Sequence, residues 1–279
     1  MSWKEILVYV DGQSNWRPTA ELAALVAARS GAHLVGLEVI HVPELADADV
    51  RRGFGTELLE RRRSDLQEDA RRLGEEFSRW ADGTGLHAEW RVGDGEPVKV
   101  LSVHARYADA VVLGPPARHT LLSLEAPHFA ASVVLAAGRP VLFAPGPGKP
   151  ATLGAHVVIG WNASRESTRA VTDALPLVGG ASRVSVVLVR PKTGARSHGP
   201  LPGADVAHYL ARHGTSVEVV TIDGDHHDVG LALLDQVSRL GADLLVMGAY
   251  GHSRLRELVL GGATETVLQR ANVPVLMSH

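Results

Sequence analysis

The chain has 279 residues, 45% of them hydrophobic, a formal net charge of −3 and no cysteine. That length gives room for two domains of ordinary size, each with its own core, and the near-neutral charge supplies no general attraction to nucleic acid or to an anionic membrane. Disulfides, thiolate catalysis and cysteine-ligated zinc are excluded outright.

The first apolar run, Glu5 to Val10, starts almost at Met1 and is too short for a signal peptide or a membrane span, so a soluble cytoplasmic protein is expected. Val- and Leu-rich runs follow near 4–10, 33–42, 87–92, 109–114 and 140–144, and again near 155–161, 183–190, 216–222, 243–248 and 274–278, with helical segments between them. Continuous apolar strands alternating with helices predict a parallel sheet covered on both faces. Right-handed crossovers then give an α/β chain of two tandem, doubly wound, open-sheet domains. Between Glu44 and Gly85, Leu58, Leu59, Leu66, Leu73, Phe77 and Trp80 recur at helical spacing among Arg and Glu, predicting one long amphipathic helix whose solvated face carries Arg61, Arg62 and Arg63. The run Pro145-Gly146-Pro147-Gly148-Lys149-Pro150 continues neither strand nor helix, and it divides the chain into domains 1–146 and 152–279.

The two halves are copies. One offset carries Ala108-Asp109-Ala110-Val111-Val112-Leu113-Gly114 onto Ala242-Asp243-Leu244-Leu245-Val246-Met247-Gly248, and also carries Pro140-Val141-Leu142 onto Pro274-Val275-Leu276 without a gap. The starts match as well, Ile6 to Gly12 lying over Val157 to Ala163 with a different offset, so the first half holds its extra residues within Glu44 to Gly85.

Chemistry concentrates after the fourth strand of the second half. Gly248 ends that strand, Gly251 follows three residues later, and Gly261-Gly262 opens a predicted helix over Ala263 to Ala271. Glycines let backbone N–H groups approach an anion, and a helix N-terminus adds unpaired donors and a positive dipole end. The alternative is a glycine turn and cap between two helices. His252 and Ser253 supply side-chain donors, although an exposed loop residue is the commoner reading of a histidine such as His252; Arg254 and Arg256 lie two apart and cannot share a helix face, so at most one reaches a phosphate.

The spacing of Gly248, Gly251 and Gly261 resembles the G-x2-G-x9-G-(S/T) loop of the universal stress protein family, with Gly262 standing where the family has Ser or Thr. The resemblance implies an adenine nucleotide alpha hydrolase-like, Rossmann-like fold, twice in tandem, and a stress-response regulator that binds ATP, with magnesium accompanying it. It assigns phosphate binding to Gly248, Gly251, His252, Ser253, Gly261, Gly262 and Ala263, adenine and ribose recognition to the end of the first strand at Asn162, and adenine contact to Val189 and Arg190. Asn162 departs from the family's Asp; its other reading is an Asx turn or a cap for the next helix. The losses of an Asp and of a hydroxyl both weaken the usual pattern.

In the first half Asp11-Gly12 keeps the family's strand end, but Ala117, Pro127 and His128 replace Gly251, Gly261 and Gly262, so that half reads as degenerate and Asp11 as a helix N-cap or a relic. The family's pairing habit implies that Pro140 to Ala144 and Pro274 to Ser278 meet within one chain, as an intramolecular pseudo-dimer, or between chains, as a homodimer. A ligand-free interaction module is the alternative function, and a slow ATPase or nucleotide-dependent hydrolase the second; no general base with a partner is evident, and no catalytic residue is assigned. Gly251-His252-Ser253-Arg254-Leu255 lacks the last glycine of a nucleophile elbow, and Gly148-Lys149-Pro150 fails as a P-loop end. Asp223 to Asp228 packs carboxylates and imidazoles together, yet neighbours in sequence rarely aim at one ion, and Asp228 sits where an N-cap for Val229 to Leu240 is expected. No metal site is assigned.

Overall fold

The computed structural model describes residues 2–12, 15–42, 56–115, 126–146, 152–191, 201–223, 228–251 and 262–279. The first half runs β1 (Glu5–Tyr9), α1 (Arg17–Ser30), β2 (His33–Ile40), α2 (Thr56–Asp82), β3 (Ala88–Asp94), α3 (Pro97–Ala105), β4 (Ala110–Leu113), α4 (Ala126–Ala136) and β5 (Val141–Phe143). The second runs β6 (His156–Gly160), α5 (Arg165–Val178), β7 (Arg183–Val189), α6 (Ala204–Arg212), β8 (Val217–Ile222), α7 (Val229–Leu240), β9 (Leu244–Gly248), α8 (Ala263–Arg270) and β10 (Val275–Ser278). Each predicted strand is present, its ends within two residues of the expected ones; most are shorter, while β3 runs on to Asp94.

All ten strands form one sheet in the order β3-β2-β1-β4-β5-β10-β9-β6-β7-β8. Within each half the pairs are parallel; across the middle β5 and β10 run antiparallel, with Leu276 opposite Leu142. Side chains alternate through this sheet. Ile6, Val8, Val157 and Ile159 point to one face, covered by α1, α2, α5 and α6, while Leu7, Val158, Leu245 and Val275 point to the other, covered by α3, α4, α7 and α8. Both cores therefore cross the boundary between the halves.

Two local features anchor the ends. Asp109 and Asp243, equivalent in the repeat, each accept hydrogen bonds from the incoming first strand of their half: Lys4 N (2.5 Å) and Glu5 N (3.1 Å) in one, Ala155 N (3.0 Å) and His156 N (2.9 Å) in the other. Helix α2 buries Leu73 and Phe77 on the sheet, where Phe77, Trp16, Trp80 and Trp90 form an aromatic cluster with centroids 5.2 to 5.9 Å apart. Gly36 makes room for it, since a Cβ there would lie 2.8 Å from both Phe77 and Trp90. Arg61, Arg62 and Arg63 are exposed, as their face of the helix predicts.

Asp11 is not the cap of α1. The helix begins at Arg17 after Trp16, with Pro18 in its first turn and no side-chain cap, five residues beyond the position that strand-end reading assigned. Proline is tolerated in a first turn because its missing N–H has no intrahelical acceptor there.

Candidate functional site

In a doubly wound sheet the open crevice lies beyond the carboxyl ends of the strands where the chain reverses its direction of winding. In the second half that point lies between β6 and β9, which are neighbours with Gly160 opposite Met247. The ends of β6, β7 and β9 thus bring together Asn162, Val189, Arg190, Gly248 and Gly251, and α8 starts nearby with Gly262 and Ala263. His252, Ser253 and Gly261 lie outside the described residues, as do Arg254, Arg256 and Ala117, Gly224 to His227 of the acidic-histidine run, and Pro147 to Pro150 of the linker.

Three non-glycine residues among those described adopt positive φ: Ala163 at 56°, Arg190 at 47° and Tyr250 at 58°. They fall just beyond the ends of β6, β7 and β9 respectively, so all the left-handed side-chain-bearing backbone gathers at one rim of the second half. Such conformations are uncommon outside glycine and cluster at binding and catalytic sites.

Asn162 is exposed, and its Oδ1 accepts from Ser164 N at 3.1 Å, which is the Asx turn. Ser164 in turn is the N-cap of α5, its Oγ accepting from Ser167 N at 3.1 Å. The first donors of α5 are therefore partly consumed within the chain. At α8 the cap is Gly262, at φ 91°, which has no side chain to accept from the first-turn N–H groups of that helix. Asp228 behaves as its position predicts, accepting from Gly230 N (2.7 Å) and Leu231 N (3.2 Å), and it also accepts from Thr266 Oγ1 (2.6 Å), tying α7 to α8.

The glycines have close neighbours. A Cβ on Gly248 would lie 2.4 Å from Ser167 N and 2.6 Å from the Glu166 carbonyl carbon, so the first turn of α5 crosses the end of β9 at a distance only glycine permits. A Cβ on Gly251 would lie 2.7 Å from Glu166 Oε2 and 3.4 Å from Ser164 Oγ. Glu166 is 6% exposed. Its Oε1 is held by exposed Arg165, from Nε at 3.3 Å and Nη2 at 3.2 Å. Burial works to raise its pKa, but its own backbone N–H, the Ser164 hydroxyl and the Arg165 guanidinium outweigh that and hold the carboxyl below the usual range. Tyr250 packs beside this loop with its hydroxyl buried and unpaired among the described residues, and burial followed by Glu265 pushes it up to about 12. Neither Glu166 nor Tyr250 was singled out by spacing. The Ser164–Ser167 interval was the one local signal for the cap that positions Glu166.

The first half has no equivalent strained rim among the described residues. There a Cβ on Gly12 would meet Glu38 Oε1 at 2.7 Å. An open cleft of about 640 Å³ does occur in this half, under α2 against Ile40, Trp90 and Val92, but it lies along the β3 edge and away from the point where winding reverses. No group of three metal-ligating side chains, and no helix long and apolar enough to cross a membrane, occurs among the described residues.

The family model described as "Universal stress protein family" matches residues 2–145 and 155–279. Over short stretches the chain is similar to Universal stress protein Slr1230 of Synechocystis sp., 59% identical over 34 residues, 12% of each chain. It is also similar to Universal stress protein MJ0577 of Methanocaldococcus jannaschii, 30% identical over 60 residues, 22% of this chain and 35% of that one. These matches span well under two thirds of either relative. A crystal structure of a universal stress protein from Archaeoglobus fulgidus overlays on 98% of this chain and 95% of its own, at 17% identity and a TM-score of 0.74, a likeness of fold.

Proposed function

The chain belongs to the universal stress protein family, and on that footing we propose that its second half binds an adenine nucleotide, ATP, as a regulatory ligand in the stress response. The observation that carries this reading is the gathering of Ala163, Arg190 and Tyr250, each at positive φ, beyond three neighbouring strands. Main-chain strain at one rim, an α8 that starts from glycine at its cap and the glycines of the loop together suit close backbone approach to an anion. Asn162, Val189 and Arg190 would face the base and ribose, and Gly248, Gly251, Gly262 and Ala263, with His252, Ser253 and Gly261, the phosphates. Magnesium would enter with the phosphates rather than on a protein-built site. The antiparallel meeting of β5 and β10 supports a pseudo-dimer within one chain.

Adding ATP at about 100 times its dissociation constant stabilises a binding protein by about 2.7 kcal/mol, so the melting transition of the intact chain should rise by several degrees. Gly251→Asp, which sets a second carboxylate beside Glu166, should abolish the shift. A wild-type transition that ATP leaves unmoved rejects the reading. It would favour the ligand-free interaction module, for which the Asx turn at Asn162 is the supporting observation.

A further inference from the structure

We infer that Glu166 is the charge filter of this socket: it opposes entry of a bare polyphosphate and admits one whose charge is neutralised by a divalent cation. The inference rests on the nucleotide-binding reading above and deepens it.

The geometry is specific to this carboxylate. Gly251 is the loop residue that approaches it, with a Cβ position only 2.7 Å from Oε2, and Gly248 lies over the same residue's main chain. An anion drawn to the backbone N–H groups of this loop therefore meets a negative charge already in place. Glu166 is 6% exposed, so water screens that charge poorly. Among the described residues its one ion-pair partner is Arg165, whose side chain is 80% exposed and engages Oε1, leaving Oε2 on the Gly251 side. The carboxylate also sits in the first turn of α5, where the helix dipole stabilises its ionised form. It does not escape the conflict by taking up a proton near neutrality.

The same residues do not build a resident metal site, because Glu166 stands without a cluster of two further ligating side chains among the described residues. A cation must then arrive on the phosphates. In that state Glu166 changes sign in its effect: the carboxylate that repels a free triphosphate is attracted to the cation it carries.

The test measures affinity of the intact chain for ATP by titration calorimetry, with excess Mg²⁺ and separately with EDTA, for the wild type, Glu166→Gln and Glu166→Ala. Adenosine serves as a ligand without phosphate. In the wild type, removing the cation should weaken ATP binding at least about tenfold. In Glu166→Gln the two conditions should agree within about threefold, with the change coming from tighter binding in EDTA. Adenosine affinity should not respond to the substitution. Glu166→Ala, which lacks the amide, should reproduce the collapse of the ratio if Gln alone fails to fold.

A wild-type ratio near one, or a ratio unchanged in both variants, overturns the filter and leaves nucleotide binding standing. Wild-type chain that binds ATP in neither condition overturns both. Loss of the folded state in both variants would make Glu166 a folding residue, and the filter falls.

Discussion

Glu38 is an acidic side chain whose environment works against its charge. Burial first, then Asp11 and Asp69, pushes its carboxyl up to about 7, and Oε2 is buried without a partner among the described residues. Because the folded-state value lies above the unfolded value of 4.5, the folded chain holds this proton more tightly. Its contribution to stability is full below about 4.5 and is lost as pH rises through about 7. Glu38→Gln should remove that decline, so that urea midpoints of variant and wild type coincide near pH 4 and the variant is the more stable at pH 8; a variant that tracks the wild type across this range contradicts the assignment. Among single residues, the ones legible in advance were those with a local role. Asp228 was readable as a cap because Ser, Thr, Asp and Asn satisfy free helix donors, and Asn162 as an Asx turn for a similar reason. Glu166 was not readable, since in Arg165-Glu166-Ser167 it looks like any surface charge until Gly251, distant in sequence, is folded against it. Asp109 and Asp243 were visible as a repeated pair, but their bonds to the start of β1 and of β6 depend on pairing that sequence spacing does not display.

At the scale of elements, strands were easier to place than helix starts. A parallel strand buried on both faces must be apolar throughout, so β1, β4, β6 and β9 announce themselves as Val and Leu runs. Helix α2 was equally clear from its stripe of Leu73, Phe77 and their neighbours. The start of α1 was misplaced at Asp11 because the residue that caps it, Trp16, is apolar and makes no side-chain cap hydrogen bond. Helices α7 and α8 are joined through Asp228, whose carboxylate serves two backbone N–H groups of one helix and the Thr266 hydroxyl of the other. Burial acts to raise its pKa, but Thr266 and the two amides prevail and hold it below the ordinary value of 3.8. Its stabilisation is therefore present above about pH 3.8 and disappears as pH falls through the lower, folded-state value. Asp228→Ala should cost about 1–2 kcal/mol at pH 7, read as a lower urea midpoint, and the difference from wild type should narrow at the acid end. An unchanged midpoint at pH 7 would show that the cap is dispensable.

The whole molecule was legible as two copies, because the repeat keeps register over a long stretch. How the copies meet was open between one chain and two, since the backbone edges of β5 and β10 carry the same donors and acceptors in either case. Arg29 shows what else spacing hides. At the end of α1, in the first half, it donates to Leu153 O (2.5 Å) and Leu177 O (2.7 Å) of the second. Hydrogen bonds from a charged group are worth about 1.5–3 kcal/mol, so Arg29→Ala should lower the melting temperature by about 3–12 °C, taking about 2–4 °C per kcal/mol for a chain of this size. With both cores crossing the boundary, calorimetry of the wild type should give a single transition; two well-separated transitions there would mean that the halves melt independently.

The reversal of direction between β5 and β10 has a geometric outcome for the two strand-end borders. Because every strand of one half opposes every strand of the other, the rim bearing the strand ends of the first half is the rim bearing the strand starts of the second. The Asp11–Glu38 pair and the Gly251 loop consequently look out from opposite borders of the sheet, back to back. One small molecule does not bridge them, and any coupling between the two borders has to cross the packed strands and helices that lie between.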